Sequence, residues 1–207
     1  MLFVKKDRSS RGEGIITLPV EKLTKERFRL IGDCAIQLPI VQNEFFEEMI
    51  ASSVATIRLT TVRDRNGRID MRAAYLRLGR RDTEWVQSEN SIRVAITNRA
   101  GDLDNFGYTQ DWRRWDYHPD SGYSFKNARI PKFNKAIDFC VALHRKAPHL
   151  TIIGWDVTID STDQIKIMEW NSNHPDIKFS EATTGSCFVG LNWEMYGKAG
   201  KTEIRPK

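Results

Sequence analysis

IIGWDVTIDSTDQIKIMEWNSN, residues 152–173, holds two runs rich in Val, Ile, Thr and Trp around a polar break of Ser161, Thr162, Asp163 and Gln164. Alternating β-branched and aromatic runs on either side of a short polar turn read as a β-hairpin. With those four residues as the loop, Asp160 is expected opposite Ile165, Thr158 opposite Ile167 and Asp156 opposite Glu169. Directly opposed side chains of an antiparallel pair project from one face, with Cβ atoms about 4.5–5.5 Å apart. Asn171, two residues beyond Glu169, falls on that face as well. Two carboxylates and an amide oxygen so close together repel unless a cation joins them. Hard oxygen donors suit Mg2+, which is commonly held by one or two carboxylates together with substrate phosphates. The competing reading is an exposed strand face whose acids sit in water. Apolar neighbours such as Ile153, Trp155, Val157, Ile159, Met168 and Trp170 favour a hairpin that is mostly buried.

Upstream of the hairpin, PKFNKAIDFCVALHRK (131–146) is the clearest helix, opened by Pro131 and stopped by Pro148, with Phe133, Ile137, Cys140, Val141 and His144 on one stripe. Before it, SVATIRLTTV (53–62) and IDMRAAYLRLGR (69–80) alternate as strands around DRNGR (64–68), whose Asn66-Gly67 step is a strong hairpin signal. Arg58 and Arg77 sit inside these otherwise apolar strands. They either reach the rim with their guanidinium groups or present forks to a phosphate or carboxylate. Residues 91–97 read as one more strand, and 98–125, rich in Gly, Asp, Asn and aromatics, as a surface excursion. Its Trp112, Trp115 and Tyr117, interleaved with Arg113 and Arg114, have the makings of a base-stacking surface. Covering a sheet edge is the commoner use of such a run. His118 and His174 are isolated, and no metal site is expected of them.

The first fifty residues have a different texture. MLFVK (1–5) is a strand that begins at once, KDRSSRGEG (6–14) a basic glycine-containing loop, and 15–20 a second apolar-rich run. Strand, glycine loop and strand can lay backbone N–H groups and cations over phosphates, although turns use the same residues. The GxxxxGK[ST] spacing of a Walker A loop is absent. Residues 21–30 are expected to be helical, CAIQLPIV (34–41) a strand bent by Pro39, and NEFFEEMI (43–50) a short helix capped by Asn43. After residue 173 come a loop with Phe179 and Glu181, a TTGS turn, a short apolar stretch and a basic tail. No internal repeat is visible.

The totals fit these parts. A chain of 207 residues, 40% of them apolar, can bury one substantial core or two lobes around a cleft. A net charge of +5 favours an anionic partner without choosing among nucleotide, nucleic acid and acidic lipid. Cys34, Cys140 and Cys187 are scattered, with no CxxC pair, which argues against a disulfide framework or a zinc cluster. No apolar run approaches the roughly 20 residues of a membrane span, and no signal peptide is visible. A soluble, cytoplasmic protein is the expectation.

In order, a lysine-ended strand, a glycine loop, a connecting strand, an arginine-bearing sheet, a helix and an Asp, Glu-x-Asn hairpin resemble the ATP-grasp superfamily. TIRLTTVRD, YLRLGR, HPDSG, IIGWDVTID and MEWNSN look most like its sugar-transfer associated domains, with a more distant likeness to glutamate-adding ligases. The resemblance spans nearly the whole chain and implies an α+β, ATP-grasp fold. Residues 1–50 would form a small lobe and residues 51–207 a larger antiparallel-sheet lobe, with a nucleotide cleft between them. By residue-for-residue carry-over, Lys5, with Lys6 beside it, would contact nucleotide phosphate, and Arg11, Gly12 and Gly14 would belong to the loop that closes over the phosphates. Gln37, Leu38 and Ile40 would border adenine and ribose. Asp156, Glu169 and Asn171 would hold Mg2+, while Arg58, Arg77 and Asn90 would face the γ-phosphate and the acyl substrate.

Three departures accompany the likeness. The family usually has a preceding substrate-binding domain and an upstream lysine, so a partner chain or a further N-terminal region is expected to complete the acceptor site. An acid is commoner where Gln37 stands. A glycine pair expected shortly after Asn90 is replaced near Ile92 and Arg93. The implied activity is ATP-dependent activation of a carboxylate, from a small molecule, glycan or peptide, as an acylphosphate attacked by an amine. The alternatives are a nucleotide-binding module without ligation and a kinase acting on a hydroxyl. A nucleic-acid partner is not expected.

Overall fold

Among the described residues, ten strands fall into two antiparallel sheets because the chain changes its apolar pattern near residue 50. This computed structural model describes residues 1–7, 14–81, 83, 85, 86 and 90–193. Strands β1 (Leu2–Lys6), β2 (Ile15–Leu18) and β3 (Cys34–Gln37) form a sheet in the order β2-β1-β3. The connection from β1 to β2 closes where Lys6 N–H donates to Gly14 O, with Gly14 at φ 78, a backbone region that a side chain disfavours. Helix α1 (Lys25–Ile31) follows, with the Thr24 hydroxyl accepting from Arg27 N–H. The helix expected over 21–30 is thus split. A single 3-10 turn (Val20–Lys22) comes first, because a Thr cap restarts the backbone pattern at residue 24. Strand β3 ends at Gln37, short of the expected 41, since Pro39 cannot donate to a ladder.

Helix α2 (Glu44–Met49) is capped as its sequence promises, the Asn43 side chain accepting from Phe45 N–H. Phe46 and Met49 on its inner side are fully buried against the second sheet. That sheet has seven strands in the order β10-β9-β4-β5-β6-β7-β8. They are β4 (Thr56–Arg63), β5 (Ile69–Leu78), β6 (Ile92–Ile96), β7 (Leu103–Tyr108), β8 (Arg114–Trp115), β9 (Ile152–Ile159) and β10 (Ile165–Asn171). Period-two alternation sends Ile57, Leu59, Leu76, Val94 and Val157 to one face, where they meet Phe133, Ile137 and Cys140 of α3 (Phe133–His144). Each such side chain, fully buried, contributes about 1.5–3 kcal/mol. Thr56, Arg58, Thr60, Tyr75, Arg77, Arg93, Asp156 and Thr158 take the other face.

Two stretches read as irregular are ordered. Within 98–125 the chain adds β7 and β8 to the sheet, and Gly107 shows why: a Cβ there would lie 2.6 Å from Ile92 and 2.8 Å from Phe125. The glycine that lowers strand propensity lets Phe125 close over the sheet. Trp112 stacks on Phe179, and Arg113 and Arg114 lie over Trp115 and Phe106. The aromatic run therefore covers the sheet edge. After β10 the expected loop contains α4 (Lys178–Thr184), anchored by a buried Phe179 between Tyr75 and Tyr108. Among the described residues, no helix is long and apolar enough to cross a membrane.

Candidate functional site

The hairpin of β9 and β10 puts Glu169 opposite Asp156, as its acids require for a shared site, but by a route the sequence conceals. The loop is one residue shorter than expected: Asp160 N–H donates to Gln164 O, Asp163 N–H to Asp160 O, and Asp163 takes φ 61. This is a three-residue loop, 161–163, whose last residue is the left-handed one. The Asp160 carboxylate accepts from Thr162 and Gln164 N–H, which lowers its pKa, chiefly through the Gln164 backbone. Ile165 consequently pairs with Ile159 and Ile167 with Val157, not with Asp160 and Thr158. A bulge at Met168 restores the count, so that Glu169 faces Asp156 and Asn171 faces Gly154. Were Met168 paired regularly, it would face Asp156 itself, and Glu169 would pair with Trp155 and point to the apolar side.

The two strands differ in exposure. β9 is almost wholly buried, whereas β10 is the sheet's edge and its Glu169 and Trp170 are exposed. The expectation of a mostly buried hairpin therefore holds for one strand only, since an edge strand has neighbours on one side. Glu169 accepts from the Asn171 amide at 3.1 Å. That contact uses the Asn171 nitrogen and gives its amide oxygen the role open to a metal.

Asp156 is 7% exposed and paired with Arg58 directly across the β9–β4 ladder. Arg58 Nε and Nη2 donate to the two carboxylate oxygens at 2.6 and 2.8 Å, and Nη1 donates to Pro175 O at 3.3 Å. Arg77 Nη1 comes within 3.9 Å of the same carboxylate. Burial disfavours the charge on Arg58, but the hydrogen bonds and attraction of Asp156 outweigh it and raise its pKa. Next along the row, Tyr75 donates its hydroxyl to Asp176 at 2.6 Å. Burial foremost, then the Asp176 charge, pushes the phenol pKa up.

Lys5 arrives from the other sheet. Its ammonium donates to Met168 O, the carbonyl of the bulge, at 3.3 Å. Gln37, opposite Phe3, lies on the same face of the small sheet as Lys5, while Lys6 alternates to the other face. Leu38 is largely exposed and Ile40 half-buried. Asn90 is exposed two residues before β6. Among the described residues, no hydrogen bond or ion pair ties Gln37, Leu38, Ile40 or Asn90 to the hairpin acids. Arg11 and Gly12 lie outside the described residues; Gly14 closes the turn noted above.

These residues fit a divalent cation carrying phosphate: two opposed carboxylates, an adjacent amide and a cation over the bulge. Thr158, on the same face, adds a fully buried hydroxyl oxygen without a hydrogen-bond partner, of the kind a bound polar ligand satisfies. Tyr75, Pro175 and Asp176 were not singled out by the sequence. Strand alternation could have placed Tyr75 beside Arg77 on the polar face, but nothing in the spacing shows that Pro175 and Asp176 fold back over it.

An α+β fold in which a small antiparallel sheet offers a lysine to an Asp, Glu-x-Asn hairpin at the edge of a larger sheet has the ATP-grasp architecture. The chain belongs to the sugar-transfer associated ATP-grasp family, whose model matches residues 29–192. Membership brings ATP-dependent, ligase-type activity in its general form. No curated protein and no solved structure matches the chain.

Proposed function

We propose that this protein is an ATP- and Mg2+-dependent ligase that activates a carboxylate as an acylphosphate for attack by an amine or similar nucleophile. The observation that carries this reading is the opposition of Asp156 and Glu169, with Asn171 beside them, on a face that Lys5 approaches from the other sheet. Residues 1–50 and 51–207 act as the two lobes of the nucleotide cleft. Asp156, Glu169 and Asn171 hold the metal, which when bound neutralises charge on the transferring phosphoryl oxygens. Lys5, with Lys6 as its neighbour, binds nucleotide phosphate, and the loop from Arg11 to Gly14 closes over it. Gln37, Leu38 and Ile40 border adenine and ribose. Arg77 and Asn90 orient the γ-phosphate and the acyl substrate, and Arg58 stands between Arg77 and the acids.

In the reaction, a carboxylate oxygen of the substrate attacks the γ-phosphorus, the bond to the bridging oxygen breaks and ADP departs. The nucleophile then adds to the acyl carbon, loses a proton and expels phosphate. Fixed cations suit both steps because they need no rearrangement as charge develops. The substrate is a small-molecule, glycan or peptide acid, and a partner chain or an N-terminal domain completes the acceptor side. Incubation with Mg-ATP and candidate acids and amines is the test. ADP release that depends on the acid, with hydroxylamine trapping a hydroxamate, supports the reading. ATP binding without turnover, or a phosphorylated hydroxyl without amide, would replace it with a binding module or a kinase.

A further inference from the structure

All three nitrogens of Arg58 are engaged within the protein, two on Asp156 and one on Pro175 O. Arg58 and Asp156 are both more than nine-tenths buried. Two parallel hydrogen bonds from a planar guanidinium fix the plane of the carboxylate they meet, which a single ammonium contact does not. The Pro175 carbonyl in turn fixes the guanidinium. Pro175 is itself pinned: its backbone lies close over Gly154, where a Cβ would come within 2.8 Å of it. Asp176, at φ 55, is tied to Tyr75, and Phe179 is buried among Tyr75, Tyr108 and Trp112.

We propose that Arg58 is a positioning residue for the metal site and that the strap from Pro175 to Phe179 is the device that holds it. The strap orients Arg58, Arg58 orients the Asp156 carboxylate, and Asp156 meets the divalent cation opposite Glu169. This rests on the metal assignment made above. It adds that Mg2+ affinity is set in part by residues that touch neither metal nor nucleotide.

The test measures ATP binding by calorimetry in Mg2+ and in EDTA, with circular dichroism to verify folding. The wild type is expected to bind ATP more tightly with Mg2+. Arg58→Gln should keep the wild-type affinity in EDTA yet need about tenfold more Mg2+ to reach the tighter state, the usual size of an effect exerted through a metal ligand's partner. Arg58→Lys restores the charge but not the fork, and should retain most of the defect. Tyr75→Phe leaves Arg58 and Asp156 in place and frees the strap, so it should shift the Mg2+ requirement in the same direction by a smaller factor. It decides the matter if Arg58→Gln does not fold. Equal weakening of ATP binding with and without Mg2+ in Arg58→Gln would make Arg58 a phosphate ligand and overturn the proposal. So would an unchanged Mg2+ requirement in folded Arg58→Gln, or in Tyr75→Phe where that variant decides. A wild type whose ATP binding ignores Mg2+ would remove the metal assignment itself, and this inference with it.

Discussion

Glu169 shares a face with Asp156 because Met168 bulges out of the β10 ladder instead of taking the place opposite Asp156. The bulge therefore offsets the short loop at the tip of the hairpin. Deleting Met168 should close β10 into a regular ladder that keeps Glu169 opposite Asp156, while removing the carbonyl that accepts from Lys5. The expected outcome is a retained Mg2+-dependent gain in ATP affinity on top of weaker nucleotide binding, with secondary structure preserved by circular dichroism. Loss of the Mg2+-dependent gain in the folded deletion would show that a common face is not enough for the acids.

Glu169→Gln tests the same acid without moving the backbone. Glu169 is exposed on an edge strand, so the melting temperature should hardly change, in keeping with about 0.5 kcal/mol or less for surface substitutions. Mg-ATP turnover should nevertheless be abolished. ADP release at the wild-type rate would sink the metal site.

On the apolar face, three buried groups form a chain. Trp155 Nε1–H donates to Thr61 Oγ1 at 2.8 Å, and Thr61 Oγ1 lies 2.7 Å from His144 Nδ1. The histidine's other nitrogen reaches Leu150 O at 3.2 Å. Thr61→Val keeps the shape and strands both neighbours, so it should cost about 1–3 kcal/mol for each buried group left unpaired. Denaturant titration reads that loss. ATP affinity, on the opposite face, should stay as it was.

Acid should destabilise the fold through its buried histidines. His118 and His144 have pKa values lowered from the ordinary 6.5, in each case chiefly by burial. His118 Nδ1 accepts from Asp120 N–H at 3.3 Å, so protonating it breaks a contact. The unfolded chain then binds more protons than the folded one as pH drops below about 6.5, and stability must fall across that window until the folded-state values are passed. A second loss belongs to Asp120, whose carboxyl is lowered to about 2, mainly by hydrogen bonds from Arg80. Its contribution is whole above about 4 and disappears as pH approaches 2. Melting curves from pH 8 to pH 5 check the first effect. A flat profile there would contradict it.

Gly154→Ala places a methyl group 2.8 Å from the Pro175 backbone. Overpacking of this kind typically costs about 1–3 kcal/mol. Because the clash falls on the strap and not on the acids, the variant should also loosen the hold on Arg58. Calorimetry should find a raised Mg2+ requirement together with the lower melting temperature.

How much of this was legible beforehand depends on range. Local signals carried the Asn43 cap, the Asn66-Gly67 turn, helix α3 and the alternation of β4, β5 and β9, since each is decided within a few residues. The opposition of Asp156 and Glu169 was also foreseen, but two errors cancelled: a loop read one residue too long and a bulge not seen. Alternation cannot announce a bulge when the inserted residue is apolar, as Met168 is. The pairing of Arg58 with Asp156 was out of reach because it depends on β4 lying beside β9, 98 positions away. Strands β7 and β8 were missed for a reason of composition. Gly107 and the polar residues around it resemble a loop until Phe125 is known to need the space.

The tip of the β9–β10 hairpin has one more effect. Asn43 N–H donates to Ile159 O, Ser161 N–H to Val41 O, and the Asn43 amide to Asp163. Val41 and Asn43 are thereby fastened to the larger sheet, while β3 ends at Gln37. Leu38, Pro39 and Ile40 are left as the short bridge from one sheet to the other. Proline fixes one torsion of that bridge and takes away one donor, so the span between Gln37 and Val41 is stiffened without belonging to either ladder.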